Sequence, residues 1–139
     1  MKKIEFTIPG PPKGKDRPQF NRQTGTVFTP APTKHYEQAV QAAYLNASQY
    51  MAEKDQPMAI HVTAFVEIPA SDSKKKKERK LLGFLKPVKK PDVDNILKIV
   101  MDGLNGIAYP DDKQITDAHV KKRYSSEPRV EVVLMEVAE

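Results

Sequence analysis

The sequence predicts a small α/β (α+β) domain in which a mixed sheet carries two main helices. Three observations predict it. Ile60, Val62, Ala64, Val66 and Ile68 alternate strictly, as in a half-buried strand. Tyr36, Val40, Ala43, Tyr44, Ala47 and Met51, and again Ile96, Leu97, Val100, Met101 and Leu104, recur at helical spacing. Two further strand-like segments close the chain. At 139 residues, 39% hydrophobic and 29% charged, the sequence suits a single domain over residues 1–139.

Taken in order, Lys2–Ile8 places Ile4, Phe6 and Ile8 on one face, giving the first strand. The following "PGPPKGKDRPQFNRQTGTVFTPAP" is rich in Pro and Gly and predicts an extended loop holding a small hairpin around Asn21–Gly25. A helix is expected from Thr33, as N-cap, to about Lys54, packing one face on a sheet. The strand Ala59–Ile68 stops at Pro69. A basic insertion at 71–89 opens with a short helix entered at Ser71 or Ser73 and continues as an extended "KPVKKP", which the prolines keep from being helical. The second main helix ends at "LNG". Ile115–Tyr124 and Arg129–Val137, separated by "SSEP", read as an antiparallel hairpin.

The absence of cysteine excludes disulfides, thiolate nucleophiles and cysteine zinc sites. Neither a signal-peptide core nor a spanning apolar stretch is present, so the expected location is cytoplasmic with no membrane partner. Net charge is +5 over the chain, but Ser71–Lys90 holds nine Lys or Arg against Asp72 and Glu78, a net +7. Charge concentrated in this way suits a polyanion, because each neutralised phosphate releases condensed counterions. A solvated lysine loop is the plainer alternative.

Against that background, "KPDVDNILKIVMDGLNGIAYPDDKQI" collects Asp92, Asp94, Asp102, Asp111 and Asp112. Pro91 biases Lys90 towards extended structure, so Asp92 and Asp94 lie where chain becomes helix, with Lys98 one turn beyond Asp94. Past the helix, a turn at "YPDD" is able to return Asp111 or Asp112 to the first pair. Each aspartate singly has an ordinary explanation as a cap or turn residue. Together they exceed what capping needs, and like charges brought close repel and raise each other's pKa. A bound hard cation removes the difficulty, since Mg²⁺ commonly takes a few carboxylates, water and substrate phosphate.

Competing motifs fit poorly. Counted from Asp92, an EF-hand loop meets Ile96 and Leu97 where it needs an oxygen ligand and glycine. The Asp-X-Asp of nucleotide-sugar enzymes has no Gly-rich phosphate loop to support it here. His35, His61 and His119 are dispersed, without paired metal-ligand spacing.

The run "KPDVDNILKIVMDGLNG", followed closely by "DDKQI", resembles the signature of the RusA family of Holliday-junction resolvases. The resemblance extends to the strand before "IPGPPKGKDRP", to "VFTP" before a helix, and to a terminal strand pair. It implies a small α/β homodimer that binds four-way junction DNA and cuts symmetrically related strands with Mg²⁺ or Mn²⁺, in DNA recombination and repair. It further implies Asp92, Asp94 and Asp112 as catalytic metal-site carboxylates and Lys98 as an essential basic residue. Asp111 is the reserve ligand, because spacing alone does not decide which of two adjacent carboxylates faces the site. The insertion at 71–89 departs from shorter family members.

The residue types suit the implied chemistry. Phosphodiester hydrolysis needs an activated water, charge neutralisation and help for the departing 3′ oxygen, which metal ions supply. Lys98 is expected to stabilise charge on the scissile phosphate or orient the water. Candidate phosphate contacts are Lys13, Lys15 and Arg17 in the first loop, Lys74, Lys75, Lys76 and Lys77 in the insertion, then Lys89, Lys90, Lys121 and Arg123. The expectation is therefore a Mg-dependent, structure-selective endodeoxyribonuclease. The alternatives are a flap or general nuclease, or a nucleic-acid-binding module with a structural cation.

Overall fold

The computed structural model describes residues 1–138. The strands are β1 (Lys3–Pro9), β2 (Gln19–Asn21), β3 (Thr26–Phe28), β4 (Met58–Glu67), β5 (Ile115–Ser125) and β6 (Arg129–Glu136). The helices are α1 (Ala31–Ala47), α2 (Lys74–Leu81) and α3 (Val93–Leu104), with a 3-10 turn at Asp112–Gln114. A mixed four-stranded sheet runs β1-β6-β4-β5, and β2 and β3 form the small hairpin expected in the first loop. The mixed α/β architecture is as the sequence predicts.

One face of the sheet builds the core. Ile4, Phe6 and Ile8 of β1, Ile60, Val62 and Ala64 of β4, and Val130, Val132 and Leu134 of β6 are all buried, while their neighbours along each strand, Ala59 excepted, are more exposed. Val40 and Tyr44 of α1 and Ile96, Ile99, Val100 and Leu104 of α3 close over that face. The two helices meet where Gly103 lies against Val40: a Cβ at Gly103 would sit 2.9 Å from the Val40 Cβ. The buried stripe of α3 is rotated from the expected one. Ile99 and Gly103 face inwards, and Leu97 and Met101 are only partly covered.

Two expectations are corrected. First, β5 and β6 do not pair as a hairpin. β4 lies between them, parallel to β5 and antiparallel to β6. The link Ser126–Pro128 crosses the end of β4, two strand spacings or about 10 Å, which three residues reach easily. Met58, Ile60, Val62 and Ala64 make β4 the strand with most to gain from a central place, and the segment holding α2 and α3 supplies the long crossover that a parallel partner needs. Second, α1 starts at Ala31 with Pro30 at its N-cap position and ends at Ala47. Thr33 is inside the first turn, buried, where its hydroxyl donates to Asp16 Oδ2 at 2.8 Å and accepts from the Asp16 amide at 3.2 Å. Beyond Ser48 the chain is drawn off the helix axis. The Tyr44 hydroxyl donates to the Tyr50 carbonyl, and the Ala52 amide reaches the Ala108 carbonyl at 2.9 Å.

Candidate active site

The site is built around the two ends of α3. At the first end, Asp92 occupies the N-cap position but its side chain makes no capping hydrogen bond, and it is exposed. Asp94, also exposed, accepts from the adjacent Asn95 amide at 2.9 Å. The Asp92 carboxylate is not consumed by satisfying the helix terminus, and Asp94 accepts from one first-turn amide only, so capping leaves most of the pair's acceptor capacity unaccounted for. Lys98 is exposed one turn further on, and no carboxylate among the described residues pairs with it.

The first loop docks directly on this end. The Lys15 amide donates to the Asn95 carbonyl at 2.9 Å, and a Cβ at Gly14 would meet the Asn95 and Pro91 side chains at 3.0 and 3.2 Å. This close approach forms a cleft in which Lys13, Arg17 and Lys90 surround Asp92 and Asn95. Cations held beside the exposed Asp92 are what phosphate binding next to a metal site requires.

Lys15 has a different place from the one expected. Its side chain is only 16% exposed, and its ammonium bridges Glu37 at 3.0 Å and Asp102 at 3.1 Å, joining the loop to both α1 and α3. It is a strut, not a free phosphate contact. Lys13 pairs with Asp16 at 3.0 Å, and Arg17 is exposed.

At the other end of α3, Asp112 accepts from the Asn105 side-chain amide at 3.4 Å, Asn105 being the helix C-cap. Asp111 instead caps the 3-10 turn, accepting from the Lys113 amide at 2.9 Å in a reciprocal arrangement with Gln114. Partial burial pushes the Asp112 carboxyl above its ordinary pKa, the charges of Asp102 and Asp111 push the same way, and Asn105 only partly offsets them. A carboxylate among like charges is a fitting place for a cation.

The structure does not bring Asp92, Asp94 and Asp112 together within one chain. A helix of 12 residues separates the first pair from Asp112, about 18 Å. Among the described residues, no group of three or more carboxylates or histidines is arranged to hold a metal ion. The turn expected to bring Asp112 back is tied to the far end of the helix by Asn105. The donor set of hard oxygens suits Mg²⁺ or Mn²⁺, but in one chain it is divided in two.

Of the other basic candidates, Lys74, Lys75, Lys76, Lys89, Lys90 and Lys121 are exposed. Lys77 and Arg123 are half-buried, Arg123 donating to the Lys122 carbonyl at 2.7 Å. Lys122, which sequence reasoning passed over, reaches back from β5 to the carbonyls of Lys89 at 2.7 Å and Pro91 at 3.0 Å and so fixes the chain just before Asp92. Its place on the side of the strand opposite Lys121 and Arg123 was the one available signal. Asn105 was also missed, because an Asn-Gly pair reads simply as a helix stop, and Asp102 was counted in the acidic stretch without a role of its own.

Among the described residues, no helix is long and apolar enough to cross a membrane. Comparison with known proteins gives two findings. The family model described as "Endodeoxyribonuclease RusA" matches residues 9–135. A Bacillus subtilis (strain 168) protein named "Uncharacterized protein YqaN" is similar, 43% identical over 141 residues, with 97% of each chain covered.

Proposed function

Since this chain belongs to the RusA family of endodeoxyribonucleases, we propose that it is a divalent-metal-dependent endonuclease that resolves four-way DNA junctions as a homodimer, in recombination and repair. The observation that carries this reading is the exposed Asp92, free of any capping hydrogen bond, in a cleft with Lys13, Arg17 and Lys90, with Asp94 exposed two residues on. Asp92, Asp94 and Asp112 would hold Mg²⁺ or Mn²⁺, which when bound supplies an activated water and neutralises charge on the scissile phosphate. Lys98 stabilises the charge that develops on the phosphate oxygens. Lys13, Arg17 and Lys90 position the phosphate next to Asp92.

The division of the carboxylates between the two ends of α3 supports a homodimer. A two-fold axis relating antiparallel copies of α3 sets the Asp92 end of one against the Asp112 end of the other, twice. The flank of α3 suits such a partner: Val93 is 41% exposed, and Leu97 and Met101 follow it at four-residue intervals, half-buried. β5 is the outer strand beside α3 and leaves Thr116–His119 exposed. Antiparallel pairing of β5 with its copy about His119 places Asp117 opposite Lys121 on both sides of the axis and keeps both α3 helices on one face.

The test uses purified protein with labelled four-way, flap and linear DNA, in Mg²⁺ or EDTA. Symmetric cuts in the four-way substrate, only with Mg²⁺, are expected. Asp94→Asn and Asp112→Asn should each abolish cleavage and leave junction binding intact. Mixed and allowed to exchange subunits, they should regain nicking, because the heterodimer rebuilds one unaltered carboxylate set. Binding without cleavage by the unaltered protein would leave a binding module, and cleavage of all shapes alike would leave a general nuclease.

A further inference from the structure

We propose that the segment after α2 is a wedge that inserts Phe84 against the base pairs at the centre of a junction. The inference rests on the four-way DNA partner proposed above and concerns residues outside the candidate active site. Leu81, Leu82, Phe84 and Val88 are 53%, 71%, 70% and 88% exposed. Single exposed apolar side chains are ordinary, but four within eight residues of one short segment call for an occupant.

The segment is held on a braced support. Ser73 caps α2 by accepting from the Lys76 amide at 3.2 Å, and Lys80, buried in a highly cationic helix, pairs with Asp72 while lying 4.5 Å over the Tyr124 ring of β5. Gly83, at φ +83°, reverses the chain, so that the Phe84 amide donates to the Arg79 carbonyl at 3.0 Å. Pro87 is buried, and Lys122 ties down the carbonyls of Lys89 and Pro91. Phe84 is thus presented on a turn fixed at both ends, with the second end leading straight to Asp92.

Charge selects the occupant. The apolar residues lie inside the net +7 segment Ser71–Lys90, between Lys74–Lys77 and Arg79 on one side and Lys86, Lys89 and Lys90 on the other. An apolar protein partner would gain little from such a rim. At a branch point, phosphates converge around base pairs that each leave one face uncovered, an arrangement that complements exposed apolar side chains flanked along the chain by cations. Apolar side chains are able to unstack neighbouring bases, and an aromatic ring stacks on any base.

The experiment places 2-aminopurine beside the branch point of a four-way junction and, separately, in a linear duplex, with EDTA to prevent cleavage. Saturation with the unaltered protein should raise the emission in the junction only. Phe84→Ala should remove most of that rise and weaken junction binding about tenfold, with linear-duplex affinity and salt dependence unchanged. Phe84→Trp adds the sole Trp of the chain and should restore binding, with its fluorescence quenched by the junction. Saturation without any 2-aminopurine response would overturn the wedge, as would equal loss of duplex and junction binding in Phe84→Ala. A blue shift of the Phe84→Trp signal on phosphatidylserine vesicles without quenching by DNA would also overturn it and assign the segment to an anionic lipid surface. Mg²⁺-dependent cleavage by the unaltered protein is scored separately. Cleavage without the emission change sinks the wedge alone, and the emission change without cleavage sinks the nuclease reading alone.

Discussion

The Lys15 ammonium lies 3.1 Å from the Asp102 carboxylate, so that a loop residue from before α1 is pinned to the last turn of α3. Glu37 completes the bridge from α1 at 3.0 Å. Replacing Lys15 with Met leaves two largely buried carboxylates facing each other, which costs about 2 kcal/mol after allowance for partial exposure. The melting temperature should fall by about 5 °C. Burial alone would lower the Lys15 pKa, but Glu37 and Asp102 outweigh it and hold the group above its ordinary 10.5. A lysine so raised contributes stability that is fully present below the ordinary value and is lost as pH climbs through the folded one. Thermal melts of wild type and Lys15→Met should differ by a constant amount from neutral pH to about 9 and converge in more alkaline buffer. The salt dependence of DNA binding should not change, because the ammonium faces carboxylates.

How far the sequence speaks for the fold depends on the range of the interaction. Period-two alternation in β1 and β4 and helical spacing in α3 are local, and those elements form where expected. Strand order is not local. "SSEP" looks like a hairpin link, yet the most apolar strand separates the two it joins, a competition no neighbouring residue records. The same holds for the site. Asp92 and Asp94 are legible because Pro91 marks where the helix begins, whereas the place of Asp112 depends on Asn105, and the burial of Lys15 depends on carboxylates 22 and 87 residues away.

Lys98 provides a test that separates chemistry from affinity. It stands exposed one turn beyond Asp94, unpaired among the described residues, so its loss should cost the fold little. If it stabilises charge in the transition state, Lys98→Ala should lower the single-turnover rate on saturated junction by about 10²-fold. Gel-shift affinity should change far less. The reverse pattern, weakened affinity with an unaltered rate, would make Lys98 a phosphate clamp.

Asp112 offers a stability test in metal-free buffer. Burial first, then the charges of Asp102 and Asp111, raise its pKa above the ordinary carboxylate value of 3.8. A folded state with the higher pKa holds the proton more tightly, so the stabilisation is complete below the ordinary value and is lost as pH rises through the folded one. Asp112→Asn cannot ionise and escapes that loss. In EDTA it should melt above wild type at pH 7, by about 1–3 °C, with the advantage gone near pH 3. Added Mg²⁺ should raise the wild-type melting temperature and leave Asp112→Asn nearly unmoved.

The lysines of α2 distinguish a DNA-tracking surface from a solvated helix. Lys74, Lys75 and Lys76 are exposed and Lys77 is half-buried, while Lys76 is 3.9 Å from Asp72, too far to be held firmly. Each that meets a phosphate should add about 0.9 to the slope of log affinity against log salt. Replacing all four with Gln should therefore weaken binding to four-way, flap and linear DNA alike and flatten that slope by about 2 to 4. α2 itself should persist, because Ser73 still caps it and Lys80 still joins it to Asp72 and Tyr124. Turnover of saturated junction should change little, since phosphate contacts position the DNA and the carboxylates are untouched. An unchanged salt slope would reduce the helix to a charged, solvent-facing surface. A large loss of single-turnover rate at saturating protein would mean instead that α2 shapes the junction, through the turn at Gly83 and the segment that Lys122 anchors next to Asp92.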